Sequence, residues 1–278
     1  MTAYAPGVYD IPEADYFGAT GALSCSGAKL LLPPSCPALF RYRQDHPEHK
    51  DVFDFGSAAH KMVLGAGPDL AIVDAPDWRS KAAREARDAA HDEGATPLLL
   101  SDFSKVQAMA DAIQRHDLAS VLLEPEFGGQ AEQSLFWADE ETGVHRRCRV
   151  DWLRDPGHGR FIAVDYKSCA KADPDSIAKA VANYGYYQQD PYYLDGIRAL
   201  GLHDDPAFVF IFQEKDPPYL VNVVQLDEEA RALGRARNRQ AIERFRDCTA
   251  AGIWPGYSDD IELISLPPWA ARALEVSA

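Results

Sequence analysis

Two periodicities divide the chain. Up to about residue 125, apolar residues recur three and four apart, the period of helices with one buried face. From about 130 to 225 they alternate with polar residues, or run on between turns, as strands do. In the first part, SCSGAKLLL (24–32) predicts a short helix capped by Ser24 or Ser26 and stopped by Pro33-Pro34. A second helix is expected from near Phe53 through GSAAHKMVLG, ending at Gly65 or Gly67. Residues 79–94, Ala-rich and charged with little apolar face, predict an exposed, mobile helix. Phe103, Val106, Met109, Ile113, Leu118 and Val121 predict one helix over 101–123.

Strands are then expected at 132–138, 145–153 and 160–167, joined by DEETG and RDPGHG, whose Asp, Pro and Gly suit hairpin connections. This is a three-stranded antiparallel meander. Asp173-Pro174 starts a helix, an Asp cap with Pro at the first position, that Pro191 kinks or divides. Strands at 207–213 and 219–225 form a second hairpin, and 227–251 is a long Arg-rich helix. The fold class is therefore α/β, a central mixed sheet flanked by helices. No low-complexity stretch or repeat separates two halves, so 1–278 reads as one domain: a helical part at about 20–125, the sheet at about 130–225, and a helix and tail at 226–278.

Composition changes the picture in three ways. Five cysteines, odd in number and widely spaced, argue against a disulfide framework or a zinc site. No apolar run approaches a membrane span and no leader-like segment opens the chain, so the expected location is cytoplasmic, with no membrane partner. The net charge of −15 argues against a protein that coats nucleic acid with its whole surface. An enclosed basic lining stays compatible with it, and clustered carboxylates are what divalent metals need.

The chemistry concentrates in RRCRVDWLRDPGHGRFIAVDYKS. Asp151 ends one strand; Asp165 and Lys167 sit on the next, on one face, with Tyr166 on the other. That strand is otherwise Phe161, Ile162, Ala163 and Val164, so its charges are expected buried, where they are costly unless paired or bound to metal. Taken alone, a DxK triplet is also the pattern of an ordinary salt bridge at a strand end.

An Asp, a hairpin and an apolar strand ending in (D/E)xK resemble the PD-(D/E)xK nucleases, and the resemblance extends to exonucleases of the RecE type. It covers roughly residues 20–225: SGAKLLLPPSCPALFRYR, a GxxxH helix (Gly56 to His60), Glu132 in EQSLFW, Cys148 to Asp151, and QxxxY from Gln189 to Tyr193. Alone, His60 would suit a core, Glu132 a solvated surface, and Gln189 with Tyr193 a packed helix face. The resemblance, not the spacing, gives them roles.

It implies a metal-dependent exonuclease using Mg²⁺, or Mn²⁺ in its place, bound by Asp151 and Asp165. His60 and the Tyr166 carbonyl complete the shell, and Glu132 helps a second ion. Lys167 orients water and stabilises developing charge, and Gln189 and Tyr193 position substrate or the lysine. Arg149 is a candidate phosphate contact, with Ser168, Lys29, Arg41 and Arg43 as weaker ones; the arginines of 231–246 line a channel or a solvated face. The resemblance further implies 5′ to 3′ digestion of duplex DNA from a free end, a ring-shaped homo-oligomer, and a single-strand annealing partner of the RecT type, in a host cytoplasm if phage-encoded.

Three alternatives stay open: a nuclease-like module that binds DNA or protein without cutting, a small-molecule phosphoesterase, and a relative of the CRISPR-adaptation nucleases with different polarity. An iron-sulfur cluster is not expected, because Cys248 stands alone after Cys169. Trp254, Tyr257 and Trp269 are expected in the core or an interface.

Overall fold

The computed structural model describes residues 4–46, 54–155, 157 and 159–267. The first part contains β1 (Gly7–Tyr9), α1 (Glu13–Gly18), β2 (Leu23–Ser24), α2 (Cys25–Leu30), α3 (Pro37–Asp45), α4 (Asp54–Leu64), β3 (Leu70–Val73), α5 (Lys81–Asp92), β4 (Thr96–Leu99), α6 (Leu100–Arg115) and α7 (Asp117–Leu122). Of the two candidate caps of α2, Ser24 serves: its hydroxyl accepts from the Gly27 N–H at 3.1 Å. The expected start of α4 at Phe53 lies outside the described residues. α5 buries Ala83 and Ala90, a narrow face on an otherwise exposed helix.

The single helix expected over 101–123 is two. His116 leaves the helical conformation (φ −84°, ψ 116°), ends α6, and caps α7 by accepting from the Ala119 N–H at 3.1 Å. Leu118 and Val121 consequently face solvent.

The second part contains β5 (Gly129–Ala138), β6 (His145–Arg154), β7 (Ile162–Cys169), α8 (Pro174–Tyr184), α9 (Tyr186–Ala199), β8 (Ala207–Glu214), β9 (Val221–Val224) and α10 (Glu228–Ala251). The main sheet runs β1-β5-β6-β7-β8-β9, with β2 paired on β6. β5, β6 and β7 form the expected antiparallel meander, and β8 and β9 the second hairpin. β7 and β8 are parallel, so the chain must cross over between them; α8 and α9 make that crossover. β3 and β4 form a separate parallel pair that no alternation in the sequence announced. The mixed α/β class stands.

The helix expected from Asp173 divides at Gly185, which is left-handed (φ 64°), and not at Pro191, which lies inside α9. Two apolar layers enclose the sheet. One holds Ala163, Phe208, Phe210 and Phe212 with residues of α2, α9 and α10; the other holds Val164, Tyr166, Val209 and Ile211 with residues of α4 and α6. After α10, Trp254 stacks on Phe40 with ring centroids 5.4 Å apart, and the Pro255 carbonyl accepts from the Ala38 N–H. Trp254 thus joins the core as expected; Tyr257, beyond that anchor, is 71% exposed, and Trp269 lies outside the described residues. No described helix is long and apolar enough to cross a membrane.

Candidate active site

β6 changes neighbours along its length, and the site lies at the change. Its first half pairs with β2 (Leu23↔Arg146, Ser24↔Arg147), and its last three residues pair with β7 (Trp152↔Val164 to Arg154↔Ile162). Beyond Val164 the two strands part. Asp151 fills the fork: its Oδ2 accepts from the Tyr166 N–H at 2.9 Å, replacing the backbone partner that β7 has lost. Because a strand residue's N–H and C=O leave the same edge, the Tyr166 carbonyl is directed toward the fork as well.

The β5–β6 register is the same on both sides of Glu132 and Asp151 (Ala131↔Trp152, Gln133↔Val150), but the rung between those two is not formed. Glu132 is left-handed (φ 57°), a conformation uncommon outside glycine and frequent at functional sites. Both strands change faces at this rung. Leu135 and Trp137 of β5, with Cys148 and Val150 of β6, pack with the α9 layer; Ala131 and Trp152 pack with the α4 layer.

His60 comes from α4 to meet both carboxylates. Its Nε2 is 3.2 Å from Asp151 Oδ2, and its Nδ1 is 3.2 Å from Glu132 Oε1. Gly56, one turn earlier, faces the Ser168 hydroxyl, which a Cβ there would meet at ordinary contact distance. On the other face of β7, Asp165 is 1% exposed. Its Oδ1 accepts from Gln189 Nε2 of α9, and Lys167 Nζ lies 2.5 Å from Oδ2. The lysine approaches off the hydrogen-bond direction, so Oδ2 is a buried oxygen without an aligned donor among the described residues.

Opposing effects set the protonation of this cluster. Burial pushes the Asp165 carboxyl up, Asp151 adds to it, and Lys167 and Gln189 only partly oppose them, leaving it at about 6. For Asp151 burial also acts upward, but His60, Lys167 and the Tyr166 N–H outweigh it and hold the carboxyl below its usual range. Burial raises Glu132 against His60 and Arg149. His60 itself would be lowered by burial, yet Asp151 and Glu132 lift it to about 9.

The donor set suits a hard divalent cation: two carboxylates, a carbonyl directed at the fork, and an imidazole. Asp165 Oδ2, which faces the Lys167 ammonium, fits the same need. As arranged, the protein's own cations meet these carboxylates, and among the described residues no three acidic, His or Cys side chains converge as a closed metal site. A divalent ion bound here would compete with the His60 proton for the same negative charge.

The remaining candidates divide. Arg149 is committed internally, its Nε on Glu132 and one terminal nitrogen donating to the Ile11 carbonyl (2.9 Å) and Ser134 Oγ (3.0 Å). Tyr193 packs edge-on against Phe208, beside the core on which the Asp165 strand lies. Lys29 reaches the site's rim through Tyr186, whose ring lies under both Lys29 and Lys167. Arg41 is held by Asp45 and Gln44 of its own helix, and Arg43 is exposed on the same helix; neither meets the cluster among the described residues.

The α10 arginines are mostly paired, as in Arg231 with Asp190 and Arg239 with Asp139, which favours the solvated-face reading. The five cysteines are free, and four are buried. Tyr186 and the conformation of Glu132 escaped the sequence reading; the aromatic run beside Gln189 was the available signal for the first, and the second had none.

Residues 24–267 match the model of a family described as a PDDEXK-like domain of unknown function (DUF3799). In three dimensions the chain is similar to the crystal structure of a "Putative exonuclease" from Eubacterium rectale. The TM-score is 0.61 and the identity 11%, covering 95% of this chain and 99% of that one, which is a likeness of fold. The crystal structure of SSO0001 aligns at TM-score 0.31 and 14% identity over 72% of this chain and 85% of that one, too distant to argue from. No curated protein matches the chain in sequence.

Proposed function

The chain belongs to the PDDEXK-like domain family, and from that premise we propose that it is a metal-dependent DNA exonuclease, digesting linear duplex DNA 5′ to 3′ from a free end. The observation that carries the reading is the junction of Asp151, Asp165 and Lys167 at the fork where β6 and β7 part. Asp151, Asp165, His60 and the Tyr166 carbonyl would hold Mg²⁺ or Mn²⁺, with Glu132 helping a second ion, and the bound metal would supply the charge that makes water nucleophilic and neutralises the phosphate. Lys167 orients the attacking water and donates to the phosphoryl oxygen on which charge develops. Water's oxygen bonds to phosphorus as the bond to the leaving alkoxide breaks, the water's proton passing to solvent and the alkoxide taking one from solvent. Gln189 holds Asp165 Oδ1, so that Oδ2 is the oxygen turned to Lys167. Tyr193, one turn after Gln189, supports the same wall.

The same reading includes a ring of subunits around the duplex and a RecT-type partner on the strand left behind, and its support is the resemblance of the motifs. The test is linear duplex DNA 5′-labelled on one strand. Terminal label released with Mg²⁺ but not in EDTA, by wild type but not by Asp165→Ala or Lys167→Ala, supports it. DNA left whole under Mg²⁺ and Mn²⁺ yet bound in EDTA makes the protein a binding module instead.

A further inference from the structure

Beside Lys167 stands an aromatic corner at the edge of the core. α8 ends at Tyr184, Gly185 turns the chain, and α9 begins at Tyr186. Tyr186 packs inward on Phe210 and Phe212, with centroids 5.9 and 6.1 Å away. Two ammonium groups lie over its ring, Lys167 Nζ at 5.0 Å and Lys29 Nζ at 5.5 Å. Tyr184 continues the aromatic surface outward: its ring is 5.6 Å from that of Tyr186, tilted by 34°, and the residue is 65% exposed. Lys29 donates to the Tyr184 carbonyl at 3.0 Å, which ties it to the corner and leaves two further ammonium hydrogens for another acceptor.

An open aromatic face flanked by cations matches an unpaired nucleotide, whose base stacks and whose phosphates seek positive charge. Of the two lysines Lys167 is paired with Asp165, whereas Lys29 is held here by a backbone carbonyl and keeps its charge for a phosphate. A strand end drawn away from the duplex toward the recessed Asp165 would carry a base that has lost its stacked neighbour.

We infer that Tyr184 is the stacking platform of a single-stranded DNA subsite, in which Lys29 and Lys167 contact the phosphates beside the stacked base. The subsite takes its place in the reaction from the nuclease reading, but its test measures binding without cutting, so the two can fail separately. Tyr186 is the positioning element that joins the platform to Lys167.

The experiment uses the full chain in EDTA and a fluorescein-labelled oligothymidylate of about ten nucleotides, read by anisotropy against an abasic strand of equal length. Tyr184→Ala should weaken oligothymidylate binding about tenfold while leaving the abasic strand nearly unaffected. Tyr184→Trp should restore affinity, with its added indole emission quenched on binding, and Lys29→Ala should weaken both strands alike. Circular dichroism confirms that each variant folds. The inference is overturned if wild type does not bind the oligothymidylate, if Tyr184→Ala binds it as wild type does, or if that variant loses both strands equally. Retained subsite binding with no digestion under Mg²⁺ would sink the nuclease reading alone.

Discussion

Glu132 and Asp151 face each other at an unformed rung of the β5–β6 ladder, and His60 bridges their carboxylates from α4. The kink that brings Glu132 inward depends on its left-handed backbone (φ 57°). A side chain there costs about 1–2 kcal/mol relative to glycine. Glu132→Ala and Glu132→Gly both remove the carboxylate and leave Arg149 without its ion pair, so their difference isolates the backbone. Urea unfolding should show the glycine variant more stable by about 1 kcal/mol; equal stabilities would mean the strand relaxes out of this conformation at no cost.

Lys167 and Asp165 form a pair in which the carboxylate is almost wholly buried. Removing one partner strands a charge, which typically costs about 3 kcal/mol, whereas removing both does not. Lys167→Met should therefore destabilise the protein by about that amount, and Lys167→Met with Asp165→Asn should recover much of it, both being inactive on DNA. A double variant no more stable than Lys167→Met would show that the ammonium does not balance the buried carboxylate.

Much of this site was legible because strands with an alternating pattern and Asp- or Gly-containing turns admit one register, and that register places Asp151 beside the Asp165 strand. What was not legible depends on contacts remote in sequence. β1 and β2 are three and two residues long and exist only because β5 and β6 offer free edges. The break at His116 turns on a ring nitrogen finding the Ala119 N–H, and the break at Gly185 precedes the proline that seemed the stronger breaker. Arg149, on the expected strand beside Asp151, spends its charge on Glu132, which the register alone could not reveal.

His60 gives the protein a pH dependence of definite sign. Its folded value, about 9, lies above the usual 6.5 of a histidine, so it favours the folded state fully below 6.5 and loses that contribution as pH rises to 9. The contribution is on the order of 3 kcal/mol. Asp165, at about 6, is mostly titrated by the time this window opens and overlaps only its lower end, which the comparison with His60→Gln takes into account. In EDTA, the unfolding midpoint of wild type should fall between pH 6.5 and 9 by clearly more than that of His60→Gln. Parallel curves would mean that Asp151 and Glu132 do not hold the imidazolium.

Gly234 of α10 marks where two helices meet most closely. Pro191 lacks the N–H that would bond the Tyr187 carbonyl four residues earlier, so that carbonyl is turned outward from α9. A Cβ at Gly234 would lie 1.8 Å from the Tyr187 oxygen and 2.9 Å from Pro191 Cγ. Backbone cannot yield as a flexible side chain can, so Gly234→Ala must push α10 from α9, and the roughly 1 kcal/mol of helix propensity that alanine brings does not offset it. We expect a net loss of about 2 kcal/mol in urea unfolding. Because α9 carries Gln189 against Asp165, kcat should fall with little change in KM. A variant as stable and active as wild type would show that α10 shifts freely, and that the α9–α10 contact does not hold the site.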